Sequence, residues 1–132
     1  MNEATMAATA VALVAPYLVE GAKELAKKVG EEAGGRVVKL WDVLRGRLAG
    51  KDALADVEAE PGDQRRWAAL EVQLEKALKE DPGFRSKLAR LIEAIPAEQR
   101  TAIRQIAKIR GDDNILGQFT GSGNQMNVGP RS

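Results

Sequence analysis

Residues 18–48 read LVEGAKELAKKVGEEAGGRVVKLWDVLRGRL, and this stretch decides the fold class. Apolar residues recur along it at steps of three or four: Leu18, Ala22, Leu25, Val29, Ala33, Val37, Leu40, Leu44 and Leu48. That spacing places all of them on one face of an α-helix. Gly30, Gly34 and Gly35 weaken the helix locally, because glycine costs about 1 kcal/mol relative to alanine in a helix. We therefore expect one long helix with a soft point, or a break near Gly34.

The segments that follow carry helical spacing and helix-boundary signals. Asp63 is placed to cap one helix, because a short carboxylate side chain accepts hydrogen bonds from the free amides of the first turn. Asp81 and Pro82 form a second cap and start, and Pro96 opens a last helix. Four or five helices of unequal length therefore follow one another along the chain.

These patterns predict an all-α fold, an irregular four- to five-helix bundle with a long helix near the N-terminus. We expect residues 1–110 to form this helical body and residues 111–132 to form a short C-terminal tail that is β-prone or disordered. The predicted core residues share the apolar faces of the helices: Leu25, Leu40, Trp41, Leu44, Trp67, Leu70, Leu74, Leu88 and Leu91.

The N-terminus contains an apolar run without charge, Ala4–Val19. As a helix this run would measure about 24 Å, less than the roughly 30 Å of a bilayer core. Pro16 either kinks this helix or starts a second one at Tyr17. Two interpretations stay open, a buried first helix of the bundle and a helix that enters lipid when released. In the second, the membrane-insertion residues are Met6, Val11, Leu13, Val14 and Leu18.

Composition argues against several classes of function. The chain has no histidine and no cysteine, so the usual general base, metal ligand and thiolate nucleophile are missing. We therefore expect no enzyme activity, no metal site and no cofactor. The formal net charge is +1, and the basic C-terminal helices carry only one aromatic residue, Phe84. A nucleic-acid partner is therefore not expected, since such surfaces combine basic residues with aromatic or glycine residues.

The tail differs in composition from the body. Residues 111–132 read GDDNILGQFTGSGNQMNVGPRS, and no charge or proline interrupts them between Asn114 and Val128. Identical amide side chains stacked in register hydrogen-bond to their copies at a repeat of about 4.8 Å. This composition is typical of a self-stacking segment, and equally of a solvated, disordered tail.

With its N-terminal ATMAATAVALVAPYLVEGAKELAKK, its helical body and its terminal NILGQFTGSGNQMNV, the chain resembles the bacterial HeLo-like (Bell) cell-death effector domains that end in an amyloid signalling motif. The resemblance covers the whole chain in layout. It assigns the following motif positions in the tail: Asn114, Ile115, Gly117, Gln118, Phe119, Gly121, Gly123, Asn124 and Asn127.

The resemblance implies a function in regulated cell death and antiphage defence. A NOD-like receptor with a matching motif would template the tail into amyloid, and the helical body would then oligomerise through its tails and permeabilise the inner membrane. The protein would be cytoplasmic at rest and would act on lipids at the inner face of the plasma membrane.

Two alternatives need no membrane. One is a helical adapter whose tail recruits a partner by strand pairing, for which residues 1–15 would be dispensable. The other is a structural or nucleic-acid-associated helical protein whose tail is inert.

Overall fold

The structure is a computed structural model that describes residues 2–106, and throughout these residues the secondary structure is helical, with no strand. The helices are α1 (Glu3–Glu20), α2 (Ala22–Val29), α3 (Glu31–Arg47), α4 (Asp52–Ala59), α5 (Gln64–Glu80) and α6 (Pro82–Ala94). A further helical segment covers residues 97–106. The predicted all-α bundle is confirmed, with shorter and more numerous helices than the four or five expected. The predicted tail motif lies outside the described residues.

The long helix expected from Leu18 onward is interrupted in different places from those predicted. The chain turns at Gly21 and Gly30, whereas Gly34 and Gly35 lie inside α3. Both turning glycines have φ above +90°, a region that side chains with a Cβ rarely enter. The predictions of one continuous helix and of a break near Gly34 are both wrong, because Gly34 keeps a helical conformation and the positive φ that the turns need occurs at Gly21 and Gly30. Pro16 lies within α1, which continues to Glu20.

The predicted helix starts in the second half of the chain are confirmed. A carboxylate oxygen of Asp63 accepts a hydrogen bond from the amide of Arg65 at 2.9 Å, and α5 begins at the next residue after Asp63. Asp81 accepts from the amide of Phe84 at 3.0 Å, and Pro82 occupies the first turn of α6. Each cap satisfies an amide that has no partner within its helix.

The core is apolar throughout, since none of the polar or charged side chains in the described part of the chain is buried. Eight of the nine predicted core residues are buried: Leu25, Leu40, Trp41, Leu44, Trp67, Leu70, Leu74 and Leu88. Leu91 is only half-buried and packs against the edge of the core. Its neighbour Ile92 takes the inward position, because Leu88, Ile92 and Ile95 follow one another at steps of four and three.

The first helix lies in the middle of the bundle. Helix α1 packs most extensively against α5, and it also contacts α2, α3 and α6. Helix α4 packs on α5, and α3 packs on α6. One face of the apolar N-terminal helix is therefore covered by helices from the rest of the chain.

Candidate functional site

The candidate functional element is α1, whose sequence favours a helix with a well-defined start. Asn2 accepts a hydrogen bond from the amide of Thr5 at 2.8 Å, and Glu3 places a negative charge in the first turn. Between Glu3 and Glu20 the helix carries no charged side chain. The helix ends at Gly21, whose amide donates to the carbonyl of Tyr17 at 2.8 Å.

The structure places most of the predicted membrane-insertion residues inside the bundle. Met6, Val11, Leu13 and Val14 are buried, with Leu13 and Val14 completely inaccessible, and Leu18 is half-buried. The exposed residues of the same helix are small and uncharged, namely Ala4, Thr5 and Ala8, and the half-buried residues near its C-terminal end include Tyr17 and Val19. Between Glu3 and Glu20, therefore, neither face of α1 presents a charge that would oppose its transfer into an apolar medium.

Ion pairs connect α1 to other helices at its two ends. Glu3 Oε2 lies 2.9 Å from Arg85 Nε on α6. Glu20 Oε1 lies 2.6 Å from Lys28 Nζ on α2, and only 12% of the Glu20 side chain is exposed. Between these two ends the buried contacts of α1 are made by apolar side chains. The two ion pairs of α1 therefore lie at its ends, and its buried contacts between them are hydrophobic.

By length and composition, α1 is the one helix in the described part of the chain that could cross a membrane. It has 18 residues and a mean hydropathy of 1.2, and 39% of it is buried. A core helix of a soluble bundle meets the same criterion of length and composition. At about 1.5 Å per residue the helix is about 27 Å long, close to the roughly 30 Å of a hydrocarbon core.

The charged side chains in the described part of the chain do not have the arrangement that a metal site requires. Within residues 2–106 no group of three or more His, Cys, Asp or Glu side chains is arranged to hold a metal ion. The charged side chains lie on the surface, where several form pairs within one helix, such as Lys79 with Glu75 at 3.1 Å. The predicted motif residues of the tail lie outside the described part of the chain.

The fold and the site define the protein as an all-α bundle whose apolar N-terminal helix carries charge only at its two ends, Glu3 and Glu20. No family model matches the chain, and neither a curated protein nor a solved structure matches it.

Two features of the site were missed from the sequence. The cap at Asn2 has a recognisable signal, since asparagine directly before an apolar helical run is a preferred N-cap. The contact of Glu3 with Arg85 has no such signal, because 82 positions separate the two residues and only the packing of α1 on α6 brings them together.

Proposed function

We propose that this protein is a membrane-targeting effector of regulated cell death, controlled through its C-terminal tail. A NOD-like receptor with a matching motif templates the tail into amyloid, and the gathered bodies release α1 into the inner membrane and permeabilise it. The observation that carries the proposal is the burial of the apolar face of α1, an 18-residue helix with no charged side chain between Glu3 and Glu20, among the other helices of the bundle.

The burial of α1 supports a protein that is harmless at rest. Because Leu13 and Val14 are inaccessible to solvent, the apolar face is not available to lipid while the bundle is closed. Release would transfer that face from protein to hydrocarbon, which is an exchange of one apolar environment for another. No charged side chain between the helix ends has to be desolvated in the process.

The tail supplies the control in this proposal. A single helix of this length is a weak anchor, so stable insertion needs many copies at one place. A shared fibril raises the local concentration of the bodies, because it holds many linked copies close together. The uncharged run between Asn114 and Val128 is suited to such stacking because like charges do not repel along the fibril axis.

The alternative is a helical adapter that acts without a membrane and is recruited through its tail. One observation favours it, namely that α1 behaves as a core helix, packed against α2, α3, α5 and α6. A protein of this kind would need α1 for stability alone. The two functions therefore differ in whether an uncharged outer face on α1 is required.

Ala8 provides the test, because it lies on the exposed face of α1 and can be changed without disturbing the core. A charge within a membrane-spanning helix costs up to about 2.5–3.5 kcal/mol on an insertion scale. Ala8→Glu should therefore abolish dye release from anionic vesicles by protein seeded with tail fibrils, while Ala8→Gln, of matched shape, should retain most of it. Both variants should fold and form fibrils like the parent.

Leu13→Glu is a poorer test, since Leu13 is completely buried and a charge there would unfold the resting bundle. If Ala8→Glu protein is folded and releases dye as fast as the Ala8→Gln control, the membrane function is wrong and the adapter takes its place.

A further inference from the structure

Two glycines join the first three helices, each as a connection of a single residue. Gly21 lies between α1 and α2 with φ 92° and ψ 159°, and Gly30 lies between α2 and α3 with φ 95° and ψ 153°. The two conformations are nearly identical, and both fall in a backbone region that is essentially restricted to glycine. The chain therefore makes the same strained turn twice.

Each glycine keeps its own helical hydrogen bonds on both sides of the turn. The Gly21 amide donates to the carbonyl of Tyr17 at 2.8 Å, and the Gly21 carbonyl accepts from the amide of Leu25 at 3.1 Å. At Gly30 the corresponding bonds join Ala26 and Gly34, at 2.8 and 2.9 Å. All four bonds link residues four apart, as in an uninterrupted α-helix.

A change at one residue would therefore convert each turn into continuous helix. The first amides after a turn lack carbonyl partners within their own helix, and helical continuation would supply them. The bonds already made by the glycines would remain in place. The backbone of α2, which lies between the two turns, is already helical and would not have to change.

The apolar pattern is in phase with that continuation. The steps of three and four run unbroken across both glycines, from Leu18 to Leu48. A pattern set only by three separate short helices would have no reason to keep one phase across their junctions. In a continuous helix these side chains would form a single apolar stripe.

We infer that Gly21 and Gly30 are the hinges of a conformational change that joins α1, α2 and α3 into one helix of residues 3–47. At about 1.5 Å per residue this helix would be about 67 Å long. Straightening carries α1 out of its place among the other helices and projects it away from the body. This inference rests on the proposed function, because it describes how the apolar helix would reach a membrane.

A distance measurement tests the change directly, and the absence of native cysteine makes the labelling specific. Spin labels at Ala8→Cys and Lys39→Cys, both exposed positions, report on α1 and α3. In the bundle the two helices pack together, which keeps the labels within about 35 Å given helix lengths near 27 Å and axes about 10 Å apart. In the straight helix the same labels would be about 46 Å apart.

In solution most of the protein should have both turns, which we call the closed form, and give the shorter distance. The longer distance should appear when tail fibrils are added as seeds in the presence of vesicles of phosphatidylethanolamine and phosphatidylglycerol. Gly21→Ala with Gly30→Ala should raise the ratio of straight to closed protein roughly twenty-fivefold, because alanine favours a helix over glycine about fivefold at each site. Gly35→Ala with Gly46→Ala is the matched control. Both of these glycines lie within α3 with open space around them, so the control should leave the distances unchanged.

A disulfide can hold the second hinge closed. A Cβ atom built on Gly34 would lie 3.5 Å from the Cβ of Ala26, at the short end of the range for a disulfide. In a straight helix the same two residues would be about 12 Å apart along the axis, too far to bridge. Ala26→Cys with Gly34→Cys should therefore cross-link in the closed form and prevent straightening at Gly30.

We expect the oxidised Ala26→Cys/Gly34→Cys protein to form tail fibrils without releasing dye, and the reduced protein to release dye like the parent. Release by the oxidised protein at the rate of the reduced one would overturn the hinge while leaving the membrane function standing. If the parent itself releases nothing, the proposed function fails, and the hinge is then decided by the Gly21→Ala/Gly30→Ala distances in solution. Label distances that stay below about 35 Å in that folded double variant, both in solution and on vesicles, would overturn the inference.

Discussion

Trp41 on α3 and Trp67 on α5 meet edge to face, with ring centroids 6.1 Å apart and ring planes inclined at 64°. The indole N–H of Trp67 donates to the carbonyl of Pro61 at 2.7 Å, so its one polar group is satisfied. The two rings therefore connect α3 to α5 and also hold the turn that precedes α5. Aromatic pairs in this arrangement contribute about 0.5–1.5 kcal/mol beyond the area they bury.

Removal of Trp67 should be among the most damaging single changes to the body. We expect Trp67→Ala to lower the free energy of unfolding by about 3–5 kcal/mol, because it leaves a cavity beside Trp41 and removes the bond to Pro61. Trp67→Phe keeps a ring and should cost less. Urea unfolding followed by circular dichroism measures both, and equal midpoints for Trp67→Ala and the parent would contradict the assignment of Trp67 to the core.

Gly34 and Gly35 are neighbours in α3 that should respond differently to alanine. Gly35 has open space around it, so Gly35→Ala should stabilise the helix by about 1 kcal/mol. A Cβ on Gly34 would meet the backbone Cα of Ala26 at 3.4 Å, where α2 and α3 pack closely. Gly34→Ala should therefore gain less or be destabilising. Thermal melts of the two variants compare them, and an equal rise in Tm would show that α2 and α3 are not in close contact.

The N-terminal cap of α1 should contribute measurably to its docking. Asn2→Ala removes the acceptor for the Thr5 amide and should cost about 1 kcal/mol of stability. Asn2→Ser retains a capping oxygen and should behave like the parent. Hydrogen exchange of α1 amides gives the site-specific measurement. Unchanged protection in Asn2→Ala would indicate that the buried apolar contacts alone determine how firmly α1 is held.

The tail should assemble without the body. We predict that a peptide of residues 111–132 forms fibrils with a cross-β spacing of about 4.8 Å, visible by fibre diffraction. Gly117→Pro and Gln118→Pro should each abolish assembly, since proline removes a ladder hydrogen-bond donor. A scrambled peptide of the same composition is the control. A parent peptide that stays monomeric at high concentration, even with seeds, would argue against the amyloid motif.

Much of the helical organisation follows from local sequence signals. The caps at Asp63 and Asp81 act within three residues of their own positions, and helical spacing identifies buried residues such as Leu40 and Leu74 from neighbours three and four positions away. Leu91 was harder to place, because it borders the buried face and only the packing of α6 decides that Ile92 points inward. The sequence also identifies α1 as the candidate helix, because the run Ala4–Val19 carries no charge.

The sequence by itself determined which segments are helical and which faces are apolar, because both depend on interactions between residues close together in the chain. The tertiary structure decided that the chain turns at Gly21 and Gly30, and not at Gly34. Because the apolar stripe keeps one phase across both glycines, its spacing does not show where the chain turns in the bundle. The turns become favourable only when α2 and α3 fold back on α1 and when distant residues, such as Arg85 with Glu3, come into contact.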